Sequence, residues 1–388
     1  MKKFKIYITF LMAAMFMVNC KEVYSPPEVN VNTNWLVVEG IINTGADSTI
    51  FKLSRTVKLT SASTLKPELK AIVTVESNAN NIYTLTEKGG GVYFALPLGL
   101  DPAKQYRVRI KTTDNKQYLS DFVETKLTPA IDDITFKADD SNLKIYNSTH
   151  DDSNKARYYK FDYTETYEFH SPIPTYLKSD GKDIVPRVGA AENITICWRT
   201  IESTSVGLAS TVKLTKDVVN DNLLTTIPSA SERVSVMYSV LLKQYALTKD
   251  AFEFWQTLKK NTEQVGSIFD AQPSALKSNI HPVNNSTEVV IGYISACNVT
   301  TKRIFISTAQ LPAIYSKSRL ICAPDTFRFV NPVTKVNEVS TFLIPKLAIP
   351  SFELTNPFTG TLIGYLGSSG NCIDCTLRGS NRKPSFWP

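Results

Sequence analysis

Residues 104–126, "KQYRVRIKTTDNKQYLSDFVETK", decide the fold class. Two runs of alternating apolar and polar residues flank Asp114-Asn115. Alternation with period two puts successive side chains on opposite faces of a strand. Asp and Asn tolerate the left-handed backbone that a tight turn between two strands requires, so the stretch reads as a β-hairpin. The same grammar extends upstream. "WLVVEGIIN", "TIFKLSR", "AIVTVES", "IYTLTE" and "GVYFALP" are short apolar-rich runs separated by turn-like residues, with no helical period among them. Strands at this spacing predict an immunoglobulin-like β-sandwich over residues 35–128, and Pro129 marks its end.

Residues 129–388 form a second, larger β-rich region. "ITFKADDSNLKIYNS", "ITICWRT", "RVSVMYSVLL", "EVVIGYISA" and "KRIFIS" are strand candidates. In "RYYKFDYTETYEF", Tyr159, Phe161, Tyr163, Tyr167 and Phe169 share one face, and Lys160, Asp162 and Glu168 share the other. Aromatic faces of this kind are expected to pack against a sheet or helix, the alternative being a platform for a sugar or peptide. One helical insert stands out near residues 249–265: Thr248 is placed as N-cap, and Phe252, Trp255, Leu258 and Val265 fall on one side. Lys259 and Lys260 lie opposite, and Gly266 is placed to end the helix. The fold expected is mainly β: the sandwich, then a β-rich domain carrying this helix.

The N-terminus carries an address. Lys2, Lys3 and Lys5 precede an apolar run over residues 6–18, too short to span a membrane and flanked as a secretory signal is. No small-residue cleavage pattern sits near position 19. Cys20 at the end of the run fits a bacterial lipoprotein signal, with residues 1–19 removed and Cys20 carrying the lipid. Residues 20–34, "CKEVYSPPEVNVNTN", have little to bury and read as a tether. Loss of three lysines and no acid lowers the formal charge from +7 to +4. The remaining basic residues are interleaved with acids, so no nucleic-acid partner is expected.

No reaction is legible. His150, His170 and His281 have no second ligand at metal-binding spacing. Neither a G-x-S-x-G elbow nor a nucleotide-binding loop is present; "GSSG" at residues 367–370 and "GGG" at residues 89–91 lack the spacing and read as turns. The acid pairs Asp132-Asp133, Asp139-Asp140 and Asp151-Asp152 sit in polar, loop-like context. No catalytic residue, metal or cofactor is assigned. Export would place Cys197, Cys297, Cys322, Cys372 and Cys375 in oxidising surroundings, where pairing is the rule. The Cys372/Cys375 pair lies in a Gly/Ser/Asn-rich tail, the wrong setting for a redox helix or a zinc knuckle. It is expected to pin the C-terminal tail, by a bond within the pair or from it to Cys322 or Cys197. Cys297, in a strand-like run, is the expected buried free thiol.

Four segments together resemble one family, the domain-of-unknown-function 4249 outer-membrane lipoproteins of Bacteroidota. They are "LVVEGIINTG…TIFKLSRT", "FWQTLKKNTEQVGSIFDAQPSALKSNI", "VIGYISACNVTTKRIFI" and "CIDCTLRGSNRKPSFW". Ser278, Ser385 and Cys297 depart from the family pattern. The resemblance implies a lipid-anchored outer-membrane protein that accompanies a TonB-dependent transporter, as a lid or capture component without enzymatic activity. Lys21-Glu22 resembles the signal that sends such lipoproteins to the cell surface, the periplasmic face being the alternative. The resemblance also marks the ending as a unit, in which Arg378, Arg382, Lys383, Phe386 and Trp387 fold back to seal the second domain or meet the partner. A free-standing glycan- or peptide-binding protein is the alternative function, and a surface hydrolase a third.

Overall fold

A computed structural model describes residues 34–57, 66–263, 275–284, 288–316 and 321–388. The signal segment, Cys20, most of the tether, Val265 and Gly266 lie outside the described residues. The molecule is mainly β, as the alternation requires.

The opening hairpin is present. Gln105–Lys111 pairs antiparallel with Gln117–Ser120, and Asn115 takes a φ of 62° in the turn. Tyr106, Val108, Ile110 and Tyr118 point inward and are buried. Leu36–Asn43 pairs with Thr49–Arg55, which pairs with Val92–Ala95. Leu36, Val38, Phe51, Leu53 and Tyr93 complete the same core.

One set of residues crosses the expected boundary. "EVVIGYISA" splits at Gly292 into Val290–Ile291 and Ala296–Cys297, and both pieces pair parallel with Leu36–Asn43. Ala296–Cys297 also pairs with Val123–Lys126, joining the two layers into one nearly closed sheet of 13 strands. Ile280–Pro282 adds to Gln117–Ser120 at its edge. Residues 280–297 thus complete the N-terminal sheet, although they follow the second region in sequence. The cause is burial: Ile280, Val290, Ile294 and Ala296 fill that core, and period-two patterning does not say which sheet a strand will join.

The second region has two sheets that pack face to face. Asn142–Asp151 lies between Ile131–Ala138 and Asp217–Pro228. Tyr158–His170 is the centre of a five-stranded sheet, flanked by Met237–Ala246 on one side and by Ile196–Glu202 and Gly207–Ser210 on the other. Thr300–Ser307 closes the far edge. The aromatic face behaves as its alternation demands: Tyr159, Phe161, Tyr163, Tyr167 and Phe169 are buried in the core between these sheets. A small C-terminal lobe follows, with strands Asp325–Arg328, Ile349–Thr355 and Leu362–Ser368.

Ion pairs fasten the N-terminal sheet. Glu76 accepts from Arg109 Nε at 2.5 Å and from Arg107 at 2.7 Å. Burial alone would raise the Glu76 carboxyl, but the hydrogen bonds from Arg109 and Arg107 outweigh it and hold the group below its ordinary value. A depressed folded-state value contributes stability that is present above the unfolded pKa and lost as pH falls through the folded one. Glu76→Gln is therefore expected to cost about 1–2 kcal/mol at neutral pH, a figure kept low because both arginines are partly exposed. The difference from wild type should shrink below about pH 4, and urea titrations at pH 7 and pH 3.5 read both values.

Candidate functional site

A cleft of about 560 Å³ opens between the N-terminal sheet, the outer face of the five-stranded sheet and the helix Lys249–Glu263. Its floor forms where the strand ladder breaks. The parallel pairing of Leu36–Asn43 stops at Val37↔Ile291 and resumes only at Ile42↔Ala296. Gly292 makes the close approach in this gap: at its φ of 143°, a Cβ would lie 2.3 Å from the Val38 carbonyl. Asn279 holds the detour with its side-chain amide, accepting from Ile294 N at 2.8 Å and donating to Ile294 O at 3.0 Å. Ser278 donates to Gly292 O at 2.7 Å.

The wall from the five-stranded sheet is the polar face of "RYYKFDYTETYEF". Lys160 forms an ion pair with Asp162, and its ammonium lies 4.6 Å from the Trp255 ring centroid and 4.9 Å from that of Tyr245. A cation over two aromatic faces is held by their quadrupoles as well as by the carboxylate. Burial, and then the Asp162 charge, push the Tyr245 phenol well above its ordinary value. It is therefore a neutral hydroxyl at any physiological pH. Glu202 accepts from Thr164 at 2.7 Å.

The helix supplies the third wall. Thr248 caps it, accepting from Ala251 N at 3.2 Å, as its position predicts. Its fully buried residues are Ala251 and Phe254, whereas Phe252, Trp255 and Leu258, the expected inner face, are half-buried. The helix wedges between two layers, so burial is shared around it. Phe254 packs on Tyr293 at 5.4 Å, and Trp255 meets Phe254 edge-on, which leaves one side of the indole at the cleft. Glu39, Asp47, Asp162 and Glu202 against Lys160 and Lys243 give the lining an excess of two negative charges. Ser295 lines this cleft, and its hydroxyl is buried with no hydrogen-bond partner among the described residues. A buried unpaired polar atom is costly and marks a place where a ligand or water would be held.

The cysteines and tail lie elsewhere. Cys197 bonds to Cys375, and Cys322 to Cys372, so both members of the close pair reach outward and no bond forms between them. Among the described residues Cys297 is the free thiol; it is buried, and burial pushes it up to about 12. Ser380 forms an antiparallel bridge with Trp198. Arg378 meets Glu232 at 2.5 Å and lies over the Phe169 ring. Trp387 is buried, donating to Glu168 at 3.1 Å and meeting Phe305 edge-on, while Phe386 stacks under Arg303. Arg382 and Lys383 are exposed. The end of the tail, at Phe386 and Trp387, therefore covers the same sheet face as the cleft, but at its other end. Six residues of strand separate Glu168 from Asp162, about 20 Å.

The histidines pair with nearby acids: His150 with Asp132 and, more distantly, Asp152, His170 with Glu168, and His281 with Asp121. Among the described residues, no three His, Cys, Asp or Glu side chains gather as metal ligands would. No helix among them is long and apolar enough to cross a membrane.

The family model described as "Domain of unknown function (DUF4249)" matches residues 21–303, most of the chain. The chain belongs to the DUF4249 family. The match takes in both walls of the cleft and its helix, and the C-terminal lobe and tail lie beyond the matched residues. No curated protein matches the chain. The family description names no activity, so the chemistry of the cleft must carry the functional reading. In the sequence, Trp255 falls on the inner side of its helix and Lys160 and Asp162 on the face of their strand opposite the aromatic row, with nothing local to join them. The signal that could have joined them was the glycine interrupting "EVVIGYISA", a mark of broken pairing.

Proposed function

We propose that this DUF4249 protein is a non-enzymatic capture protein, held at the outer membrane by a lipid on Cys20 and serving as an accessory of a TonB-dependent transporter. The observation that carries the capture role is the cleft: aromatic walls and convergent charged groups, in a volume suited to a few sugar or peptide units. Trp255 offers an aromatic face, and Lys243 and Glu202 polar contacts on either side. Lys160 and Asp162 bind each other, which suits a fixed recognition wall better than proton transfer.

Trp255→Ala is expected to weaken binding of the captured glycan or peptide by about 30-fold, the effect typical of an aromatic anchor. Calorimetry on the purified protein would check it, with unfolding measured in parallel. Co-purification from detergent-solubilised outer membranes tests the accessory role. Recovery as a lone monomer after mild cross-linking, with ligand affinity intact, would favour the free-standing binder instead.

A further inference from the structure

Two turns at one end of the C-terminal lobe are copies of each other. They are Asn331-Pro332-Val333-Thr334-Lys335-Val336 and Asn356-Pro357-Phe358-Thr359-Gly360-Thr361. In the first, Asn331 Oδ1 accepts from Val333 N at 2.9 Å and Thr334 N at 3.0 Å. In the second, Asn356 Oδ1 accepts from Phe358 N at 2.9 Å and Thr359 N at 3.3 Å. The asparagine carbonyls accept from Lys335 N and Gly360 N, both at 2.9 Å. Those two residues share a left-handed backbone, with φ of 59° and 70°. Val336 N and Thr361 N donate to Thr334 and Thr359 hydroxyls at 3.4 Å. Asn331 N and Asn356 N close the turns onto Val336 O and Thr361 O. Every backbone N–H in both turns is therefore donated within its own turn, the prolines having none.

Topology sets the pair side by side. Asp325–Arg328 and Ile349–Thr355 both run antiparallel to Leu362–Ser368, so both turns leave the sheet at the end where Leu362 begins. The third residue of each is thrust into solvent: Val333 is 85% exposed and Phe358 is 95% exposed. The opposite end is clasped by Cys322–Cys372, just outside the first and last strands, and Cys197–Cys375 ties that base to the five-stranded sheet. The lobe is a short stalk with a fixed base and an apolar tip.

We propose that this tip contacts a lipid surface, with Val333 and Phe358 entering the boundary between headgroups and acyl chains. Backbone entering lipid must have its polar groups satisfied internally, and these turns meet that condition for every N–H. Neither turn contains an acid, and Lys335 is the one charge in the two, a sign that suits anionic headgroups. Glu338, nearby, is held by Arg328 N and Asn331 Nδ2. A protein partner would be served by a patch of aromatic and arginine anchors with a polar rim, whereas the two turns offer the exposed aliphatic side chains of Val333 and Val336, with Val330 beside them, and a single aromatic, Phe358. The inference stands apart from the cleft and does not depend on what it binds.

The test uses the full chain reconstituted in vesicles of phosphatidylethanolamine with a minority of phosphatidylglycerol. Phe358→Trp and, separately, Val333→Trp add an indole at each tip, at positions exposed enough to leave packing unchanged. After subtraction of the four native tryptophans, each added indole is expected to shift its emission to the blue and to lose most of its intensity to lipids brominated on the acyl chain. Quenching by aqueous acrylamide with no response to the brominated lipid would overturn the proposal. So would protection from both quenchers that arises only in native membranes, because a protein would then cover the tip.

Discussion

Replacement of Cys197 by serine is expected to destabilise the protein by about 4–5 kcal/mol. The Cys197–Cys375 bond joins positions 178 apart, and the Cys322–Cys372 bond, which joins positions 50 apart, lies inside that loop. With the inner bond intact, the outer one closes a loop of about 130 residues, and the chain-entropy cost of opening it is near the upper end for disulfides. Both sulfurs of the outer bond are fully buried, so two serine hydroxyls in Cys197→Ser/Cys375→Ser would add a desolvation cost. Cys322 and Cys372 are half-buried, and their replacement should cost less, about 3–4 kcal/mol. Urea unfolding of each pair under oxidising conditions checks the order. Equal losses for the two pairs would mean that burial of the Cys197–Cys375 bond adds nothing. The tail residues that follow, Trp387 above all, should become protease-sensitive in Cys197→Ser/Cys375→Ser before the core does.

The second large effect is expected at Asp217, whose side chain is buried where the three-stranded sheet meets the five-stranded one. One carboxylate oxygen accepts from Arg157 N and the Tyr159 hydroxyl, both at 2.9 Å, and the other from the Thr211 hydroxyl at 2.5 Å. Tyr159 is raised far above an ordinary phenol, first by burial and then by its bond to Asp217. Asp217→Ala strands the buried hydroxyls of Tyr159 and Thr211 and the part-buried Arg157 N–H, and a loss of about 4 kcal/mol is expected. The mechanism makes a sharper demand on the double variant. Because an unmet buried donor is what costs, Asp217→Ala/Tyr159→Phe should be less destabilised than the two single losses summed, by about 1–2 kcal/mol. Strict additivity in a double-mutant cycle would refute the hub.

Much of this architecture was legible in single segments. The hairpin around Asp114-Asn115, the buried row from Tyr159 to Phe169 and the Thr248-capped helix each follow from local periodicity and turn chemistry. Those rules act over a few residues, and they held. The partners of Cys372 and Cys375 are among those the sequence allows, but nothing local chooses between them. That choice needs the tail to lie along Trp198, a contact made 182 positions away at Ser380.

What the sequence by itself determined is the class of fold, the elements and their inner faces, because period-two alternation and capping are properties of neighbouring residues. Only the tertiary structure decided where those elements meet. It returned residues 280–297 to the first sheet, broke their pairing at Gly292 and so opened the cleft beneath Trp255. It also set two six-residue turns, 25 positions apart, at one tip of a disulfide-clasped lobe. The physical reason is the same in each case. Burial rewards any apolar strand that fills a core, whatever its place in the chain, and strand pairing carries no label that a short window could read.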